Sequence, residues 1–205
     1  MRRMQFLLSA LLGLSILSSS FSAEPQKKPA VRAPGRYAVF ETSMGTFVCQ
    51  LYEKLAPVAV ENFVGLAEGT KEWMTTKGEL MKQPFYNGMI FHRIVKKVII
   101  QAGDITGKGG NFRAVIPFDN EIVPTLDFNQ PGMLAMANNG PKSNITQFFV
   151  TAAPAPNLNG KYTIFGKVVE GLPVVASIAN VPLLASKPVT DVVIKKISVE
   201  HVGRK

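Results

Sequence analysis

Residues 89–95 read Met89-Ile90-Phe91-His92-Arg93-Ile94-Val95, an apolar run interrupted by two polar side chains. It opens a series of short apolar runs, at residues 98–102, 132–137, 147–150 and 164–169, divided by clusters of Gly, Pro and Asn. Runs this short, bounded by turn formers, read as strands. Several in succession predict an all-β sandwich or barrel. Upstream, residues 37–42 and 46–51 are β-rich and separated by Ser43-Met44-Gly45, which predicts a hairpin. Residues 56–68 predict a helix. Pro57 suits its first turn, Val60, Phe63, Val64 and Ala67 share one face, and Gly69 ends it. Residues 173–180 predict a second, shorter helix. Residues 191–199 predict a last strand with Val193, Ile197 and Val199 on one side and Lys196 and Ser198 on the other. Residues 70–83, polar around Trp73, predict a surface excursion with one short helical turn. No internal repeat is visible.

The chain has 205 residues, which predicts one domain with a tail. Apolar residues make up 46% and charged residues 18%, enough to build a core and too little charge for a disordered chain. The single cysteine, Cys49, excludes an internal disulfide framework and a multi-cysteine zinc site. Within a strand it reads as a buried, inert thiol. His92 and His201 are too far apart for a local metal motif, and no metal or cofactor is expected. At the N-terminus, Arg2 and Arg3 precede an apolar stretch at residues 6–17 and small residues up to Ala23. This is the pattern of a secretory signal peptide over residues 1–23, cut after Ser22 or Ala23; an uncleaved anchor helix is the alternative. Residues 24–35, with Pro25, Pro29, Pro34, Lys27, Lys28 and Arg32, read as an extended tether, leaving 36–205 as the domain. The expectation is an exported protein, periplasmic or secreted, with no stable membrane insertion after signal removal. The net charge of +9 is scattered rather than striped among aromatics, so a solvated surface is favoured over a nucleic-acid site. No feature marks an oligomer, and a monomer is expected.

Single motifs say little. Residues 103–110, Gly-Asp-Ile-Thr-Gly-Lys-Gly-Gly, resemble a phosphate loop but have the wrong spacing and no Ser or Thr after Lys108, so they read as a surface turn. Asp119 and Glu121 could do acid–base work, yet no nucleophile or ligand lies near, and a solvated pair is the stronger reading. Asn144-Ile145-Thr146 is a formal glycosylation sequon, relevant only in a eukaryotic secretory route. His92 and Arg93 must face opposite sides of a strand. Taken alone, they read as a structural histidine and a surface arginine. Gln147-Phe148-Phe149-Val150 alone is ordinary strand core.

In combination the fragments are specific. The carrying segments are Phe85-Tyr86-Asn87-Gly88, Phe91-His92-Arg93-Ile94, Gln101-Ala102-Gly103-Asp104 and Gly132-Met133-Leu134-Ala135-Met136-Ala137-Asn138. Gln147-Phe148-Phe149-Val150, Leu158-Asn159-Gly160-Lys161 and Phe165-Gly166-Lys167-Val168 complete them. In this order and spacing the chain resembles a cyclophilin, a peptidyl-prolyl cis–trans isomerase, over residues 37–199. The resemblance implies a closed eight-stranded antiparallel barrel capped by two helices. It also implies a role in folding exported proteins, with proline-containing unfolded or partly folded polypeptides as partners.

It further assigns roles by position. Arg93 matches the catalytic arginine and Gln101 the glutamine that orients it. His92 stands beside them. Asn138 matches the residue whose backbone holds the peptide extended, and Ala137 and Gln147 match further groove positions. Val98, Ile99, Phe149, Leu158 and Tyr162 match the proline pocket. Some positions depart from the family. Lys96-Lys97-Val98-Ile99 stands where the family has Pro-Gly-Phe-Met, so an aromatic wall of the pocket is missing and weaker proline binding is expected. Asn157 and Tyr162 replace a tryptophan and a histidine found in many eukaryotic members, which predicts weak binding of cyclosporin. Ile145 replaces a usual glycine. A proline-peptide binding module or holdase with little turnover is therefore the competing function; a small-ligand barrel ranks last.

Overall fold

The computed structural model describes residues 32–110 and 112–203; the expected signal peptide and most of the tether lie outside the described residues. The hairpin forms as expected, from β1 (Gly35–Thr42) and β2 (Gly45–Leu51), with Thr42 paired to Gly45. Helix α1 (Pro57–Glu68) has Pro57 in its first turn and ends on Gly69 at φ 74°. A side chain at 69 could not fit, because a Cβ there would lie 2.4 Å from the Gln83 carbonyl carbon.

The excursion after α1 holds a small hairpin, β3 (Trp73–Met74) and β4 (Leu80–Met81), in place of the expected helical turn. Trp73 is the reason: its ring packs edge-on against Phe85 at 5.0 Å, and its Nε1–H donates to the Gln83 carbonyl at 2.9 Å. Next come β5 (Arg93–Val95), β6 (Ile99–Ala102), β7 (Met133–Met136) and β8 (Phe148–Thr151). A 3-10 turn (Pro156–Leu158) and β9 (Ile164–Glu170) lead to α2 (Leu172–Ile178). A minor hairpin, β10 (Leu183–Leu184) with β11 (Lys187–Pro188), precedes β12 (Ile194–Val202).

Eight of these strands form one antiparallel sheet in the order β12-β1-β2-β9-β7-β8-β6-β5. The sheet curls, and α1 packs on β12 and β9 while α2 packs on β2. The fold is mostly β with two α-helices among the described residues. The outermost strands β5 and β12 share no ladder, so the continuous closed barrel implied by the resemblance is not what the pairing shows. Residues ahead of β5 instead meet residues around the start of β12. Ile90 bridges Val193, the Gly88 N–H donates to the Ile194 carbonyl at 2.8 Å, and the Ile194 N–H donates to the Met89 carbonyl at 2.7 Å.

Phe63 of α1 is fully buried at the centre of the core. Its ring lies 5.9 Å from Phe40, 5.2 Å from Tyr86, 5.6 Å from Phe148 and 5.2 Å from Phe165. Cys49 is buried, and burial pushes its thiol pKa far up, as expected of an inert thiol. In β12 the alternation breaks. Glu41 pairs with Lys196 and Thr42 with Ile194, so Lys195 is an extra residue. This bulge puts Ile194 in the core beside Ile197, the place that strict alternation assigns to Val193.

Residues 32–35, the end of the expected tether, are already held on the sheet. Arg32 donates from Nε to Glu170 at 2.7 Å and also pairs with Glu200, while the Tyr37 hydroxyl donates to the Ala33 carbonyl at 2.7 Å. Glu121 is not a solvated partner of Asp119. Its carboxylate accepts the Val58 N–H at 3.0 Å and the Ala59 N–H at 2.8 Å, capping α1 across a gap of some sixty residues. A carboxylate on free N–H groups at a helix start is favourable by charge and by bonding. Replacing Glu121 with Ala is expected to lower unfolding free energy by about 1 kcal/mol, read as a shift in urea midpoint at unchanged slope. An unshifted midpoint would show that the contact adds nothing.

Candidate active site

The pleat of the central strands separates two apolar clusters. Ile94, Ile100, Ala102, Leu134, Met136, Phe148, Val150 and Phe165 face inward to the main core. Their chain neighbours Ile99, Met133, Ala135, Phe149 and Ile164 face the other way and form a smaller cluster with Phe128 and Ala155. Side chains of a strand alternate, so each strand serves both clusters. Ile99, Phe149 and Ala155 of this outer cluster line a cavity of about 510 Å³.

Every site residue expected from the sequence lines this cavity: His92, Arg93, Val98, Ile99, Gln101, Ala137, Asn138, Gln147, Phe149, Leu158 and Tyr162. Register explains how they meet. Arg93 pairs with Gln101 across β5 and β6, and Gln101 pairs with Phe149 across β6 and β8. The Phe149 ring lies 5.7 Å from Phe128, stacked, and 5.3 Å from Tyr162, edge-on. Phe128, fully buried behind Phe149, escapes a motif reading because its own segment carries no strand signal.

The polar side of the cavity is a row of amides. Arg93 Nη1–H donates to Gln101 Oε1 at 2.9 Å, Gln101 Nε2–H to Gln147 Oε1 at 2.9 Å, and Gln147 Nε2–H to the Gly110 carbonyl at 2.5 Å. Arg93 is exposed and lines the cavity, and its guanidinium has donors beyond the one given to Gln101.

Gly110 ends the glycine-rich loop, and that loop is built on Asp104. The buried Asp104 carboxylate accepts bonds from Thr106 N–H, Thr106 Oγ1–H, Lys108 N–H and Gly109 N–H at 3.1, 2.6, 3.2 and 2.7 Å. N–H groups that a phosphate would need already serve this carboxylate, which agrees with the turn reading. Gly103, at φ 90°, passes so close to the segment leading into β8 that a Cβ there would sit 2.5 Å from the Thr146 carbonyl oxygen.

Asn138 continues from β7. Its side-chain Nδ2–H donates to Asn120 Oδ1 at 3.0 Å and Asn144 Oδ1 at 3.2 Å. Its backbone N–H and carbonyl have no partner among the described residues, and Asn138 lines the cavity. Asn144, the sequon asparagine, is fully buried and donates to Asn120 Oδ1 at 2.9 Å, which removes it from reach of glycosylation. Residues 95–98 make a turn closed by the Val98 N–H on the Val95 carbonyl at 2.8 Å. Lys97 takes φ 61° there, a conformation suited to glycine that costs another residue about 1 kcal/mol.

His92 is 6% exposed, and neither ring nitrogen has a hydrogen-bond partner among the described residues. Burial holds its pKa below the ordinary 6.5, opposed by the Asp104 charge and the Gln147 amide and aided by the Arg93 guanidinium. The neutral ring therefore belongs to the folded state. As pH falls below about 6.5 the unfolded chain takes up the proton first, so stability drops until the depressed folded pKa is passed; above that window it is fully present. Chemical denaturation between about pH 7.5 and about pH 5 should show this slope in the native chain and a flatter one in His92→Gln. Equal slopes would remove His92 as its source.

The family described as cyclophilin type peptidyl-prolyl cis-trans isomerase/CLD matches residues 37–199. Peptidyl-prolyl cis-trans isomerase B of Streptomyces anulatus is 41% identical over 169 residues, 80% of this chain and 96% of that protein. Peptidyl-prolyl cis-trans isomerase-like 1 of Mus musculus is 43% identical over 159 residues, 76% of this chain and 87% of that one. The crystal structure of a Cryptosporidium parvum cyclophilin type peptidyl-prolyl cis-trans isomerase superposes with a TM-score of 0.70 at 32% identity, covering 82% of this chain and 98% of that chain. A second structure of that protein, in the presence of the dipeptide Ala-Pro, gives a TM-score of 0.69 at 32% identity over 81% of this chain and 99% of that one. With the amide row and its arginine set on the outer face of a curled eight-stranded sheet, and with this match over nearly all the described residues, the chain belongs to the cyclophilin-type peptidyl-prolyl cis–trans isomerases.

Proposed function

We propose that an extended X-Pro segment lies along the groove and that Arg93 is the catalytic group that favours its twisted amide. The observation that carries this is the exposed guanidinium, held by Gln101 on one N–H and set beside an apolar wall of Val98, Ile99, Phe149, Leu158 and Tyr162. Rotation about the peptide bond breaks resonance and meets a barrier of ~18–20 kcal/mol. In the twist the prolyl nitrogen regains its lone pair and accepts a hydrogen bond that neither planar form can accept. A donor aimed at it lowers the barrier selectively. One hydrogen bond from a charged donor contributes about 1.5–3 kcal/mol, roughly ten- to hundredfold in rate. The remainder falls to the apolar wall, which desolvates the amide and fixes the ring, and to the preset orientation of the arginine.

The open backbone of Asn138 supports the peptide-holding role, since an extended peptide can pair with it as an added strand. Gln101 and Gln147 act as positioning residues for Arg93. His92 packs behind it as a neutral ring. The same reading takes the sheet as a barrel closed through residues 88–91, supported by the bonds from that segment to residues 192–194. Work on exported, partly folded chains is supported by the sequence of residues 1–23, with Arg2, Arg3 and the apolar stretch after them.

A binding module with little turnover is favoured by one feature, Val98 in place of an aromatic wall. The two readings separate in one assay of X-Pro isomerisation by the chain without residues 1–23. Arg93→Ala is expected to lower kcat/KM by about a hundredfold with an unchanged unfolding midpoint, and Val98→Phe to raise it by tightening KM. A folded wild type that accelerates nothing would leave the binding module.

A further inference from the structure

No acid lines the groove, and exposed cations flank its lining residues. Lys161 is fixed at its edge: Nζ–H donates to the Asn157 carbonyl at 2.8 Å, and Asn157, Leu158 and Tyr162 all line the cavity. Lys96 and Lys97 are exposed at the corners of the turn whose Val95 and Val98 line the same cavity. Lys108 and Arg113 are exposed next in sequence to the lining residues Gly109 and Phe112. None of these five is in a salt bridge among the described residues.

The acids are engaged elsewhere. Asp104 is buried under its own loop, Glu121 caps α1, and Asp119 accepts the backbone N–H groups of Asn120 and Lys142. The cations that do have acidic partners, Arg32, Arg36 and Lys187, lie outside the cavity lining. Lys97 is the more pointed case, because it holds a backbone conformation that glycine adopts freely. What lysine adds there is a charge beside the proline wall.

We propose that the groove selects X-Pro segments with acidic side chains flanking the proline, read by Lys96, Lys97 and Lys161. This rests on the groove being the peptide site described above. An extended peptide advances about 3.3 Å per residue, so a carboxylate within about two residues of the proline comes within reach of these ammonium groups. Like-sign side chains at the same positions are repelled, which gives selection in both directions.

The test uses three short peptides with Glu, Gln or Lys on both sides of an otherwise fixed X-Pro core. Both kcat/KM and dissociation constant are measured with the chain lacking residues 1–23. At low salt the Glu peptide is expected to have a kcat/KM about three- to tenfold higher and a dissociation constant lower by about the same factor than the Gln peptide, with the Lys peptide turned over more slowly and bound more weakly than either, as for one or two screened surface pairs. At about 0.5 M NaCl the three are expected to converge. The combined variant Lys96→Gln, Lys97→Gln, Lys161→Gln is expected to bring the Glu-to-Gln ratio close to one. Equal values for the three peptides at low salt, or an undiminished ratio in the variant, would overturn the proposal. Should no peptide be accelerated, the catalytic reading fails, while the dissociation constants still decide the charge preference.

Discussion

Phe148 and Phe149 are neighbours in the chain and point to opposite sides of β8. Phe148 packs with Phe40, Phe63 and Tyr86 in the core; Phe149 packs with Phe128 and Tyr162 under the groove. Core and site are thus two faces of one strand. A slip of one residue in β8 would put each ring in the other's place and take Gln147 out of the amide row. The pairings of β8 with β6 and β7 hold that register, and the Met133 N–H on Thr151 Oγ1 at 2.9 Å pins its far end. Stability and function therefore draw on the same register.

Local features of this fold were legible in the sequence because their causes are local. Pro57, the apolar face of α1 and Gly69 lie within one short stretch, and so do the β1–β2 hairpin and its turn. What stayed hidden depends on partners distant in the chain. Glu121 reads as half of a solvated pair until α1 is brought to it. The bulge at Lys195 is set by the pairing of β12 with β1, so the period of β12 alone points to the wrong valine. The hairpin after α1 depends on the docking of Trp73 against Phe85, across the polar stretch that separates them.

The site divides in the same way. Arg93 and Gln101 face each other by simple antiparallel register over a tight turn, but each residue alone has an ordinary surface reading. Only the order of the family segments singled them out. Family order could not supply the part played by Asp104 and Gly110, because it lies in backbone N–H and carbonyl groups that any residue carries. The wall offered by Phe128 was equally invisible, since its contact with Phe149 comes from two segments with no shared pattern.

The row from Arg93 to Gly110 has a direction. Each glutamine amide could in principle be turned end for end, exchanging its oxygen for its NH₂ group at almost no cost in shape. Turning Gln101 alone would set N–H against N–H at Arg93 and oxygen against oxygen at Gln147. Turning Gln147 alone would set N–H against N–H at Gln101 and oxygen against oxygen at Gly110. Every single error is thus detected at both ends, and the guanidinium and the backbone carbonyl, neither of which can reverse its role, anchor the row at its termini. The groove proofreads the orientation of its own polar wall, and a substrate meets an arginine whose alignment has already been checked.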